Sequence, residues 1–133
     1  LKAVTLAAQQ ALEMAKLKPS DIDVAALHDA FTILEIAESE HVGFFKKGEG
    51  GKAAVAGKTR LGGQIPINVS GGLKARGHPV GATGVAQVVD IVWQLRYELP
   101  KTRQVQKAQT GLTVNFGGFG NNVLSFVLKR VEV

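Results

Sequence analysis

The chain carries IPINVSGGLKARGHPVGATGVAQVVDIVWQL at residues 65–95, where an apolar run, a glycine-rich turn region and an amphipathic segment follow one another. The run Ile65–Val69 is bounded by turn residues and predicts a short buried strand. Several glycines surround His78, and glycine lets a backbone approach a ligand closely. The apolar residues beyond Gly84 recur at helical spacing and predict a helix with this stripe facing inward: Val85, Val88, Val89, Val92 and Leu95.

The patterns before this region predict helix, strand and helix in that order. Residues 4–15 place apolar side chains at helical spacing. A short apolar run at 22–27 is bounded by turn residues and predicts a buried strand. Residues 31–42 predict a second helix, capped by Asp29 or Thr32.

The other segments predict a loop, a connector and a hairpin. Residues 43–63 hold seven glycines, five basic residues and one acid without an apolar period, so they predict a long basic loop. Residues 100–109 predict a basic connector. Strands are predicted at 112–115 and 123–129, joined by a turn rich in Gly and Asn. The order of elements indicates one α/β domain with helices layered on a mixed sheet.

Composition limits the class of protein. A length of 133 residues with 45% hydrophobic residues suits one domain, spanning 1–133. Residues 1–42 have a net charge of −4 (three bases, seven acids) and residues 43–133 have +9 (thirteen bases, four acids), which suggests an anionic partner for the second part. Cysteine is absent, so this chain supplies neither a disulfide scaffold nor a cysteine nucleophile. No apolar run reaches ~20 residues and no signal peptide is visible, so we expect a cytoplasmic protein without a membrane partner.

Three polar residues lie where an α/β sheet places its ligands. His28 follows a predicted strand, His78 directly precedes a predicted helix, and Asn115 lies in the penultimate predicted strand. Residues at the carboxyl ends of strands line the ligand crevice, so these three are active-site candidates. His28 as a hydrogen-bonded core histidine, and Asn115 as a residue bonding its own turn, remain alternatives. Walker and Rossmann phosphate motifs are absent.

The glycine-rich region resembles a known family. The thiolase signature NxxGG…GHPxGxxG is similar in order and spacing to Asn68-Val69-Ser70-Gly71-Gly72 followed by Gly77-His78-Pro79-Val80-Gly81-Ala82-Thr83-Gly84. Upstream, the HDxF form of sterol-carrier-protein-type and archaeal thiolases resembles His28-Asp29-Ala30-Phe31. The resemblance covers essentially the whole chain but only the C-terminal portion of a thiolase.

The resemblance implies an acyltransferase that forms or cleaves acetoacetyl-CoA or a similar 3-oxoacyl-CoA. Its substrate would be a coenzyme A thioester, with no permanently bound cofactor and no metal. By position, His28 and His78 would line the oxyanion hole for the thioester oxygen, and the Gly117 amide would contribute to a second hole. Ala30 and Phe31 would line the pantetheine channel. A fixed imidazole stabilises a developing enolate oxygen without reorganisation.

The departures from the family pattern imply a partner. Asn115 stands where degradative and biosynthetic thiolases carry Cys-x-Gly, and Ala30 occupies the alternative cysteine position, so neither can shuttle a proton. The nucleophilic cysteine belongs to the first half of a thiolase, so we expect a cysteine-bearing half, as a separate chain or a missing segment, within a homo- or hetero-oligomer. Without that half, the sheet begun at Ile22 would have an unpaired edge or an exposed face.

Other functions stay open beside the acyltransferase. The two histidines together with Asn115-Phe116-Gly117-Gly118 are also similar to the pattern of β-ketoacyl synthases, in which decarboxylation makes an acid/base cysteine unnecessary. A condensing enzyme or lyase of the same superfamily is therefore one alternative. A non-catalytic subunit that binds CoA or a partner protein is another. A nucleic-acid-binding module has only the basic second part in its favour, without an aromatic platform, so nucleic acid is not an expected partner.

Overall fold

A computed structural model describes residues 1–131. In chain order the elements are α1 (Lys2–Ala15), a 3-10 turn (Pro19–Asp21), β1 (Val24–Ala26), α2 (Thr32–Val42), α3 (Gly50–Val55), α4 (Gly72–Arg76), α5 (Thr83–Arg96), β2 (Thr110–Gly117) and β3 (Asn122–Lys129). This order confirms the predicted α/β class and the helix, strand and helix of the first third. In the described part of the chain, no helix combines the length and the apolarity that a membrane span requires.

The three strands form one mixed sheet in the order β1-β2-β3. β1 runs parallel to β2, and β2 runs antiparallel to β3 over the full length of both strands. On the other side of β1, Ile67 forms a single parallel bridge with Ala25, so the strand predicted at 65–69 is reduced to one bridge. β1 and β3 are therefore the two end strands of the sheet, and the bridge covers only part of the outer side of β1. Within residues 1–131, β3 pairs with a strand on one side only, so the sheet begun at Ile22 has an unpaired edge there, as expected in the absence of a partner.

Side chains of the sheet alternate between two hydrophobic clusters, as the pleat of a strand requires. On one face, α1 buries an apolar stripe against Ala25 and Leu112. On the other face, α5 packs against Val24 and Ala26. A Cβ at Gly111 would collide with the Ile91 side chain, so glycine in β2 is what lets α5 approach the sheet. The helical residues buried in this way are Val4, Ala8 and Leu12 of α1, and Ile91 and Leu95 of α5.

Residues 43–63 are not a structureless loop, because α3 lies within them. Glu40 Oε1 accepts a hydrogen bond from the Gly50 N–H at 2.8 Å and so anchors the first turn of α3. A Cβ at Gly50 would come within 2.9 Å of the Ile36 carbonyl oxygen, so this helix start needs glycine. The anchor lies in the preceding helix, which is why local composition predicted a loop instead.

The inward face of α5 also differs from the predicted valine stripe. Leu95 is buried, but Val85 is 66% exposed, and the other three valines of the stripe are half-buried. Two glutamines, Gln87 and Gln94, point inward in their place. Buried amides are tolerated when they are hydrogen-bonded, and both glutamines bond to backbone groups. Of the predicted stripe only Leu95 is therefore buried, and two glutamines take the place of valines on the inner face.

Candidate active site

Two histidines and an aromatic ring meet beyond the carboxyl end of β1. His28 follows that strand, and His78 lies in the turn between α4 and α5. Their ring centroids are 5.0 Å apart, with an interplanar angle of 76°, so one ring presents its edge to the other. Phe116 of β2 stacks on His28 with centroids 5.2 Å apart. The structure thus brings together the two histidines that the sequence singled out.

Asn115 joins the same group and bonds to His28 as well as to α5. Its Nδ2 lies 3.0 Å from His28 Nδ1 and 2.9 Å from Gln87 Oε1. The alternative that Asn115 merely bonds its own turn is therefore wrong. Gly84 makes the approach possible, because a Cβ there would lie 3.2 Å from the Asn115 amide carbon and oxygen.

His28 is almost completely buried, at 4% exposure, and its peptide is held by a carboxyl group. The His28 N–H donates to Glu38 Oε2 at 2.9 Å. Glu38 is fully buried, and this burial raises its pKa to about 9, so the carboxyl is protonated at neutral pH. Burial also lowers the pKa of His28 and the neighbouring His78 lowers it further, so the neutral imidazole is the favoured form at neutral pH.

His78 is exposed but its ring is anchored. Its Nδ1 lies 2.6 Å from Thr83 Oγ1, at the first residue of α5. The same hydroxyl donates to the Pro79 carbonyl at 3.2 Å, and Thr83 is itself buried. A buried hydroxyl thus fixes the orientation of a solvent-facing imidazole.

The Asp29 carboxylate braces the glycine turn that leads to His78. Neither predicted cap of α2 is used, because that helix starts after Phe31 without a side-chain cap. Asp29 Oδ1 instead accepts from the Leu73 N–H at 3.1 Å, in the first turn of α4. A Cβ at Gly72 would overlap the Asp29 carboxylate, and the φ of Gly72 is +62°, so both space and conformation require glycine there.

Asn68 connects the end of β1 to α2. It has a left-handed backbone with φ 49°. Its Oδ1 accepts from the Leu27 N–H at 2.9 Å, and its Nδ2 donates to Glu35 Oε2 at 2.8 Å. Burial raises the pKa of Glu35. Asn68 belongs to the sequence signature, whereas Glu35, Glu38 and Gln87 could not be predicted as site residues, because each lies on a helix where a polar side chain normally faces solvent.

Three further predicted site residues take part in none of the side-chain hydrogen bonds described above. Ala30 is half-buried and Phe31 is 72% exposed. Gly117 is the last residue of β2 and pairs with Asn122. Their roles toward a coenzyme A thioester stay predictions.

Comparison with known families identifies the class of domain to which this fold and this pair of histidines belong. A family model described as thiolase C-terminal domain-like matches residues 1–130. The chain therefore belongs to the thiolase C-terminal domain-like family, as its sequence motifs predicted.

Individual relatives extend this finding. The chain is similar to the acetyl-CoA acetyltransferase of Methanothermobacter thermautotrophicus, with 52% identity over 98% of this chain and 34% of the relative. It is also similar to sterol carrier protein 2 of Bos taurus, with 47% identity over 84% of this chain and 20% of the relative. A solved structure named Ltp2-ChsH2(DUF35) aldolase matches with a TM-score of 0.80 and 28% identity, covering 96% of this chain and 31% of that one. The chain thus spans between a fifth and about a third of the length of these relatives.

Proposed function

We propose that this chain provides the histidine side of a thiolase-type acyltransferase site, which forms or cleaves acetoacetyl-CoA or a similar 3-oxoacyl-CoA. The observation that carries the proposal is the pair of imidazoles, His28 and His78, with ring centroids 5.0 Å apart in a chain of this family. The archaeal relatives named acetyl-CoA acetyltransferase support the same reaction class. Two imidazoles at this separation are suited to hydrogen-bond a single thioester oxygen.

In the condensation direction, the thioester oxygen of acetyl-CoA would lie between the two imidazoles. Loss of an α-proton gives an enolate with its negative charge on that oxygen. The enolate carbon then attacks an acyl-cysteine thioester on the partner, forms the new carbon–carbon bond and releases the cysteine thiolate. His28 is neutral, so it offers an N–H to the enolate without adding a net charge to a buried site. The Asn115 amide does not take up protons near neutral pH, so a histidine or a partner residue removes the α-proton.

The acyl-carrying cysteine has to come from a partner or from another part of the polypeptide, since this chain has none. The edge strand β3 favours one place for it, because Leu124 is 55% exposed and Phe126 is 50% exposed there. An open strand edge with large apolar side chains is normally covered by another strand or layer. We infer that the cysteine-bearing half packs against β3.

The test is the turnover of His78→Ala in the intact protein, together with any chain that accompanies it. Loss of one oxyanion donor is expected to lower kcat for acetoacetyl-CoA thiolysis by at least about 100-fold. His41→Ala is the matched control, because His41 lies on α2 and bonds to Thr5, away from the site. Near-normal turnover of the His78 variant contradicts the proposal.

A lyase of the same superfamily is the second candidate, favoured by the similarity to the aldolase and by the amide at Asn115. A retro-aldol cleavage also develops an enolate oxygen, but it requires no acyl-cysteine. Iodoacetamide separates the two, because this chain has no cysteine to alkylate. Inactivation protected by acyl-CoA supports the thiolase, whereas full carbon–carbon cleavage after alkylation supports the lyase. CoA binding with neither reaction supports the non-catalytic subunit.

A further inference from the structure

The side-chain amide of Gln87 has its orientation fixed by the sheet. Gln87 is fully buried on α5. Its Nε2 donates to the Val114 carbonyl at 2.8 Å and to the Ala26 carbonyl at 3.2 Å. A carbonyl oxygen only accepts hydrogen bonds, so a flipped amide would place Gln87 Oε1 against two oxygens. Gln87 Oε1 must therefore face the other way, toward Asn115.

This orientation fixes the next amide in turn. Gln87 Oε1 lies 2.9 Å from Asn115 Nδ2 and needs a donor, so Nδ2 rather than Oδ1 is the Asn115 atom at this position. The second hydrogen of the same nitrogen is directed to His28 Nδ1, 3.0 Å away. Since Asn115 Nδ2 is a donor in both contacts, His28 Nδ1 has to accept. An imidazole nitrogen that accepts carries no proton, and the proton of neutral His28 is then on Nε2.

We propose that Gln87 and Asn115 are positioning residues that lock His28 in the Nε2–H tautomer, with this N–H available to a ligand. The availability follows from the hydrogen bonds of the described residues. There, Glu38 Oε1 is the one buried side-chain oxygen or nitrogen without a partner. His28 Nε2 has no hydrogen-bond partner within residues 1–131 either, yet it is not among the buried atoms without a partner. This nitrogen therefore reaches solvent, although most of the ring is buried. Its role as an oxyanion donor rests on the proposed acyltransferase function, whereas the tautomer itself does not.

The same network resists protonation of His28. An imidazolium carries hydrogens on both nitrogens, so its Nδ1–H would point at the Asn115 N–H, donor against donor. Burial is the main cause of the lowered pKa of His28; the neighbouring His78 and Arg76 lower this pKa further, while Asp29 raises it. The amide chain from Gln87 thus keeps a single neutral tautomer. An enolate oxygen would then meet a donor whose proton is already in place, without reorganisation.

The experiment is nitrogen NMR on the intact protein, ¹⁵N-labelled at histidine, with the His28 signals assigned by their loss in His28→Gln. In the wild type we expect a proton on Nε2 and none on Nδ1, and this measurement needs no variant. A wild-type His28 with its proton on Nδ1, or with both tautomers equally populated, overturns the proposal.

Asn115→Asp gives the second arm, because a carboxylate of the same shape accepts and cannot donate. At a pH where His28 of this variant is still neutral, we expect its proton to move to Nδ1. We also expect kcat to fall by at least about 100-fold with little change in KM, since the carboxylate repels an enolate oxygen as well. Asn121→Asp, the same chemical change at an exposed residue of the hairpin turn, should alter neither quantity. A neutral His28 that keeps its proton on Nε2 in Asn115→Asp contradicts the positioning role, whatever the change in kcat. If the wild type has its His28 proton on Nε2 and Asn115→Asp has it on Nδ1, but the wild type transfers no acyl group, the tautomer lock is supported and the proposed function is refuted.

Discussion

Replacing Glu38 by Gln should remove a pH dependence from the stability of the protein. The Glu38 carboxyl is fully buried, its Oε2 accepts the His28 N–H at 2.9 Å, and its Oε1 has no partner. Glutamine keeps an oxygen for the His28 N–H and has nearly the same shape. It differs in that it never ionises, so the variant isolates the protonation of one buried group.

The size of the effect follows from the raised pKa. Burial moves the pKa of Glu38 from 4.5 to about 9 in the folded state, so between these values the folded protein holds a proton that the unfolded chain has lost. The contribution of Glu38 to the stability of the fold is present in full below pH 4.5 and is lost progressively as the pH rises toward 9. A one-proton difference amounts to roughly 1.4 kcal/mol per pH unit. Between pH 6 and pH 8, the wild type should therefore lose roughly 3 kcal/mol of unfolding free energy relative to Glu38→Gln.

The assay is denaturant unfolding of both proteins at a series of pH values, followed by circular dichroism. Because all other titrating groups are shared, the difference between the two unfolding free energies is the informative quantity. Glu40→Gln serves as a control on the same helix, because hydrogen bonds from the Gly48 and Gly50 amides lower the pKa of Glu40 instead. Its stability difference from the wild type should stay flat between pH 6 and pH 8. A flat difference for Glu38→Gln as well would refute the reasoning that this carboxyl is buried and neutral.

Two further substitutions test the contacts around His28. Gly84→Ala places a Cβ 3.2 Å from the Asn115 amide, so we expect a lower kcat and a disturbed His28 NMR signal. Gly51→Ala is the control: a Cβ at this second residue of α3 would have nothing within 4 Å, so it should leave both quantities unchanged. Asp29→Asn keeps an oxygen for the Leu73 N–H but removes the charge that raises the pKa of His28, so that pKa should fall further, as measured by NMR titration. A rise in the His28 pKa of this variant would contradict the charge assignment.

The positions of the two histidines were predictable because glycine spacing and strand ends are local signals. Gly77 and Gly81 frame His78 in the sequence, and His28 directly follows an apolar run, so both were expected at the carboxyl end of the sheet. What local patterns do not show is contact between distant segments. Asn115 lies 87 residues from His28 along the chain, and only the parallel pairing of β1 with β2 brings their side chains within hydrogen-bond distance.

The error on α5 has a different physical cause. Hydrophobic periodicity assumes that polar side chains face water, and Gln94 breaks this assumption by bonding to the backbone of the connector, at the Arg103 carbonyl and the Val105 N–H. Burial of an amide costs little once its donors and acceptor are satisfied by peptide groups. The sequence holds no sign of those partners, since the connector has no regular structure that would predict them. A stripe of valines was therefore assigned to the core although a stripe containing glutamines occupies it.

The buried glutamine and the buried glutamate act on the same residue in complementary ways. Glu38 holds the His28 peptide, while Gln87, through Asn115, holds the His28 ring. Both supports are uncharged at neutral pH, since the pKa of Glu38 is raised to about 9 and amides do not titrate. An anionic carboxylate in either place would repel an enolate oxygen inside a site of low dielectric. A cysteine at Asn115 would add a proton carrier but lose the fixed donor pair. Under the proposed function, this chain would therefore favour electrostatic preorganisation over acid/base chemistry, and proton transfer would fall to His78 or to the cysteine-bearing half.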